Sequence, residues 1–97
     1  MLDAVKMALP VTVDGFDMEI LDLIQTALMD LETNGVNAQA MQDDPLILQA
    51  VKTYCKAHFR TPPNYDQLMS AYDAQKGHLM KCARYTNYTE AANNGPC

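Results

Sequence analysis

Two pairs of side chains in this sequence have the types and spacing that chemistry uses. Cys55 and His58 are three residues apart in "VKTYCKAHF", and His78 and Cys82 are four apart in "HLMKC". A helix brings either spacing onto one side. Together the pairs offer two thiols and two imidazoles, a donor set suited to tetrahedral zinc. Alternatively, either pair offers a thiol beside an imidazole, as in nucleophilic catalysis. Structural zinc sites usually draw on a tight Cys-x-x-Cys knuckle, which is absent here. A catalytic thiol needs an electropositive, partly open setting, whereas Cys55 has apolar neighbours and no recognisable oxyanion loop. Free cysteine is also among the residues most often buried for packing alone. The plainer reading is that both pairs are core positions, with no catalytic, cofactor or metal site. No glycine-rich phosphate loop is present.

The elements that would position these residues are helices, expected nearly throughout from apolar spacing, with no convincing strand alternation. A short helix over Leu2–Leu9 stops at Pro10, which cannot continue the hydrogen-bond ladder. "PVTVDGF" connects it to a second helix over Phe16–Thr33. There Phe16, Ile20, Leu23, Ile24, Ala27, Leu28 and Leu31 share one stripe, and Asn34-Gly35 ends the element. "VNAQAMQ" reads as a polar, mobile loop. Asp44 and Pro45 give the third helix an N-cap and a first-turn proline. Its polar side is a single narrow strip of Gln49, Lys52, Thr53, Lys56 and Arg60, so most of its girth must be covered. Pro62-Pro63 break the chain, and Asn64 with Gln67 has the spacing of a capping box. A fourth helix follows to about Ala83, with Tyr65, Leu68, Tyr72, Leu79 and Cys82 on its apolar side. Gly77 within it reads as a place of close backbone approach. Residues 84–97 carry two tyrosines and almost no aliphatic side chain, which reads as a tail.

The chain of 97 residues therefore reads as all-α, a small bundle of about four helices with a short N-terminal helix. Residues 1–83 form the helical domain and 84–97 an extended C-terminal tail. A net charge of −5, with few and scattered bases, argues against wrapping nucleic acid. No apolar run approaches the roughly 20 residues of a spanning helix, and the N-terminus does not read as a secretion signal. A protein made and kept in a cytoplasm is expected, with its three cysteines as reduced thiols. Met18 and Met29 lie off the main stripe of the second helix and are expected outside, while Met7, Met69 and Met80 are expected to fill core.

"DDPLILQAVKTYCKAHF", "TPPNYDQLMSAYDAQKGHL" and "ARYTNY" together resemble the small head–tail connector proteins of tailed bacteriophages, also called adaptors or head-completion proteins and sometimes tied to DNA packaging. "LDAVKMAL" and "DGFDMEILDLIQTALMDLETNGV" fit the earlier part of that family. Arg84 stands where the family pattern leads one to expect a glycine. The resemblance implies a structural virion protein at the neck, assembled in the host cytoplasm. It would form a homo-oligomeric ring under the portal, typically a 12-mer, and dock the next head–tail joining (stopper) protein. DNA would pass through the channel without sequence-specific binding, and no membrane would be involved. It also implies a portal-binding C-terminal segment, with Arg84, Tyr85 and Tyr88 as the expected portal-binding residues. Channel-lining acids would come from Glu19, Asp22, Asp30 or the Asp43-Asp44 pair. The competing reading is a small acidic regulatory or adaptor module that binds another protein through its helices.

Overall fold

In a computed structural model, residues 1–9, 15–59 and 62–86 are described. They form four α-helices: α1 (Leu2–Ala8), α2 (Asp17–Thr33), α3 (Pro45–His58) and α4 (Tyr65–Lys81). Short 3-10 turns occupy Gln39–Met41 and Ala83–Tyr85. The architecture is the expected all-α bundle, and no strand occurs among the described residues.

Helix α3 is the centre of the bundle. It packs against α4 most extensively, then α2, and α1 lies on both α2 and α3. Its start follows from local chemistry. Asp44 is extended, its side chain accepts the Leu46 N–H at 2.9 Å, and Pro45 fills the first turn without needing a donor. Ile47, Ala50, Val51, Cys55 and Ala57 are then fully buried on different sides of one short helix. Thr53, placed by its spacing in the polar strip, is nearly buried. Its hydroxyl is satisfied by donating to the Gln49 carbonyl at 2.9 Å.

Helix α2 ends in a Schellman motif. The Val36 N–H donates to Leu31 O at 2.9 Å and the Gly35 N–H to Glu32 O at 3.0 Å, with Gly35 at φ +91°. The motif turns Val36 back onto Leu31, and both are fully buried. This overturns the expectation of a polar, mobile loop after α2. Val36 and Ala38 are core residues, Gln39–Met41 form a helical turn, and the Gln39 N–H donates to Glu32 Oε2 at 2.9 Å.

Other expectations are corrected too. Asn64 makes no side-chain cap bond at the start of α4, so the capping box does not form. Met7 and Met80 are exposed rather than core-filling. Met18 and Met29 are exposed as their spacing implies, and Met69 packs on the core. Among the described residues, no atom beyond its chain neighbours and its own helix backbone lies within 4 Å of a Cβ built at Gly77, so the expected close backbone approach is not found there. Cys55 is a free buried thiol, but Cys82 is disulfide-bonded, contrary to the expectation of reduced thiols; its partner lies outside the described residues.

The two glycines predict opposite outcomes. Gly35→Ala forces a side chain into left-handed backbone and should destabilise by about 1–2 kcal/mol. Gly77→Ala adds a methyl in open space within a helix and should stabilise by up to about 1 kcal/mol. Urea unfolding of the two variants checks the signs; a stabilising Gly35→Ala would contradict the Schellman assignment.

Candidate interaction surfaces and the C-terminal latch

Of the two cysteine–histidine pairs, Cys55 is buried and His58 half-buried as core positions would be, whereas His78 is exposed, contrary to that expectation, beside a buried Cys82. Burial pushes the Cys55 thiol up to about 12, so at neutral pH it carries no thiolate to attack or to ligate. His58 lies 4.2 Å from the Tyr54 ring and 5.5 Å from the Tyr65 ring, measured between centroids. Tyr54 in turn meets Tyr72 edge-on at 5.2 Å, so this aromatic row seals α3 against α4. His58 Nε2 is buried with no hydrogen-bond partner among the described residues. The sulfur of Cys82 lies 3.6 Å from His78 Nε2, one turn away on the same helix. Among the described residues no three His, Cys, Asp or Glu side chains converge to hold a metal ion.

Two carboxylates do hold the bundle together across long sequence separations. Asp30 on α2 accepts the Tyr72 hydroxyl at 2.6 Å and the Lys76 ammonium at 3.0 Å, tying α2 to α4. Partial desolvation pulls its pKa upward, but the Tyr72 and Lys76 hydrogen bonds and the Lys76 charge outweigh it and leave it below the ordinary value. Desolvation, with the bond to Asp30 added, drives the Tyr72 phenol upward.

Asp44 does two jobs at once. One oxygen caps α3 and also accepts the Tyr85 hydroxyl at 2.8 Å; the other meets Arg84 Nη2 at 3.2 Å. Desolvation again works against ionisation, and the bonds from Tyr85, Leu46 and Ile47, with the Arg84 charge, bring the carboxyl below its usual range. Tyr85 is 1% exposed, with the Arg84 guanidinium 5.0 Å above its ring. The Asn37 N–H donates to Tyr85 O at 2.7 Å, and Val36 bridges Thr86 in antiparallel fashion. The packed structure thus continues through Thr86, past the 83/84 boundary expected between domain and tail.

Of the three expected portal-binding residues, Arg84 is exposed and Tyr85 is committed to the core of its own chain. Tyr88 lies outside the described residues. The acids expected near a channel divide as well. Asp30 and Asp44 are engaged within the chain, whereas Glu19, Asp22 and Asp43 are exposed and form no ion pair among the described residues. The sequence marked Asp44 only as a helix cap. Its bond to Tyr85 spans 41 positions, and no local spacing announces it.

The most exposed large apolar side chains are Met7 on α1, at 87%, and Met18 and Met29 on α2; Leu46 on α3, Met80 on α4, and Leu21 and Phe16 are exposed to a lesser degree. Lys6 on α1 pairs with Asp17 at the start of α2 at 2.8 Å, which holds the two helices together there. No helix among the described residues is long and apolar enough to cross a membrane.

The family model described as phage connector protein matches residues 1–86, which span all four helices and the latch. The chain belongs to the phage connector protein family, a family of head–tail connectors. No curated protein and no solved structure matches it. Membership associates the chain with the other head and tail proteins of a phage and with a structural connector role.

Two measurements check the latch. Asp44→Ala removes the cap and strands the buried Tyr85 hydroxyl, and should cost about 2–3 kcal/mol. Tyr85→Phe alone should cost about 1–2 kcal/mol and almost nothing in the Asp44→Ala background, so the cycle gives a coupling near 1 kcal/mol or more. Additive losses would mean that the hydrogen bond does not form. On pH, both carboxyls titrate lower folded than unfolded, so the stability they add is present above about pH 5 and lost as pH falls through their lowered pKa values. Melting temperature should fall over that acid range, less steeply for Asp30→Asn; identical slopes would contradict the Asp30 assignment.

Proposed function

We propose that the chain is a structural subunit of the phage neck that assembles as a homo-oligomeric ring beneath the portal. The ring extends the DNA channel and presents a docking surface to the next head–tail joining protein. The observation that carries this reading is the family match across all four helices and the latch. In this role the helices do no chemistry; they build a wall.

Features of the chain support the reading. Its net charge is −5 and its bases are few, which suits a channel that phosphate must slide through without being held. A ring contact joins two different surfaces of one subunit, and a bundle with α1, α2 and α4 arranged around α3 has different exposed faces to offer. The C-terminal segment beyond Thr86 leaves from a fixed point, because Asp44 roots Tyr85 beside it. Exposed Arg84 and the residues around Tyr88 then serve portal binding, with Tyr85 as the root of the segment.

Reconstruction of the neck of purified virions tests the role: density for this chain should lie between portal and tail, and its absence from virions would overturn the reading. A chain ending at Thr86 tests the tail. It should keep the helicity of the parent, melt somewhat lower because the disulfide of Cys82 is lost, and lose portal capture in a pull-down, whereas a Cys82→Ser chain of full length should retain capture. Undiminished capture would place the portal contact elsewhere on the bundle.

A further inference from the structure

Charge is divided unevenly along this chain. Residues 1–44 hold nine Asp and Glu against one Lys, whereas residues 45–97 hold three acids against six Lys and Arg, a part at −8 before a part at +3. The fold turns that division into two exposed helix faces of different character.

The first is the outer side of α2. Met18, Leu21, Gln25 and Met29 recur every three or four residues and so form one line about 16 Å long. All four are exposed, Met18 by 74% and Met29 by 57%. Asp22 sits in the same line and Glu19 at its edge, neither in an ion pair among the described residues. Because α2 packs on α3 through its opposite side, this line points away from the chain's own α3.

The second is the polar strip of α3 through Gln49, Lys52 and Lys56, with exposed Leu46 at its N-terminal end, about 15 Å along the axis, Arg60 of the expected strip lying outside the described residues. Leu46 and Gln49 are exposed and the lysines half-buried. Neither lysine meets a carboxylate among the described residues.

A helix face that stays in water, or that faces phosphate, has no use for methionines along its midline; a face covered by protein does. Two α2 faces packed in parallel would set Glu19 and Asp22 against their own copies, and packed antiparallel they would leave both carboxylates without a basic partner. A basic surface with an apolar edge complements this face, and α3 of another copy carries one of matching length. The geometry points to a seam in which the Met18–Met29 face of α2 docks on the Leu46–Lys56 strip of α3 in a second copy of this chain, Glu19 and Asp22 lying against Lys52 and Lys56. Since the two faces differ, the contact runs head to tail and propagates from copy to copy. The inference rests on the connector reading above and deepens it by naming the surfaces. It also takes Glu19 and Asp22 out of the channel wall.

Charge reversal of the full-length chain tests the seam, with sedimentation velocity up to about 1 mM protein as readout and helicity as a check on folding. Glu19→Lys with Asp22→Lys should weaken self-association by about a hundredfold, and Lys52→Glu with Lys56→Glu should do the same. The chain carrying all four changes has both faces exchanged and should associate again, within about threefold of the parent. A monomeric parent overturns the seam. So do single-face variants that associate like the parent, a fourfold variant that fails to recover, and variants that lose only portal capture. The neck density of virions decides the connector reading separately, so the two fail independently.

Discussion

Helix α3 has to be covered on almost every side, and that requirement organises the molecule. Ile47, Ala50, Val51, Cys55 and Ala57 leave no exposed surface, so a single flanking helix cannot satisfy them. Helices α1, α2 and α4 each take part of the circumference. Burial of this kind is the main favourable term available to a chain of 97 residues, whose core is necessarily small. The polar bonds then select one arrangement of the three covers. Asp30 fixes α2 against α4 through Tyr72 and Lys76, and Asp44 fixes the start of α3 against the end of the described chain.

The same constraint explains the first of the cysteine–histidine pairs. Cys55 faces inward because α3 is enclosed, and burial removes the thiolate that either metal binding or catalysis would use. His58 contributes a flat ring to the aromatic row between α3 and α4. The surface left for contact with other proteins is the outside of the bundle. There the described residues offer a methionine line on α2, a lysine strip on α3 and the latched end at Arg84–Thr86. For a structural connector, exposed faces are the site.

Much of the bundle was legible from local chemistry. Asp44 with Pro45 announces a helix start within two residues, and Asn34-Gly35 announces a helix end. The apolar stripe of α2 follows from spacing alone. What escaped notice depends on contacts between distant positions. Val36 looks like the start of a polar loop until the Schellman turn brings it onto Leu31. Tyr85 looks like an aromatic on a tail until Asp44, 41 positions earlier, accepts its hydroxyl. Met7 and Met80 carry no marker of their side, because methionine suits either a core or a covered surface. Asn64 and Gln67 have the right spacing for a capping box, but no side-chain cap bond forms at Asn64.

The proposed ring requires these helices to meet copies of themselves around a pore. Zero-length carbodiimide coupling in purified virions tests it most directly, because that reagent joins a carboxylate to an amine only when the two already touch. If α2 and α3 form the seam, this chain will run as a ladder of dimers and higher multiples. Peptides from the dimer band will then join Glu19 or Asp22 to Lys52 or Lys56. A chain that couples only to other virion proteins, or a ladder whose linked peptides exclude α2, would contradict it.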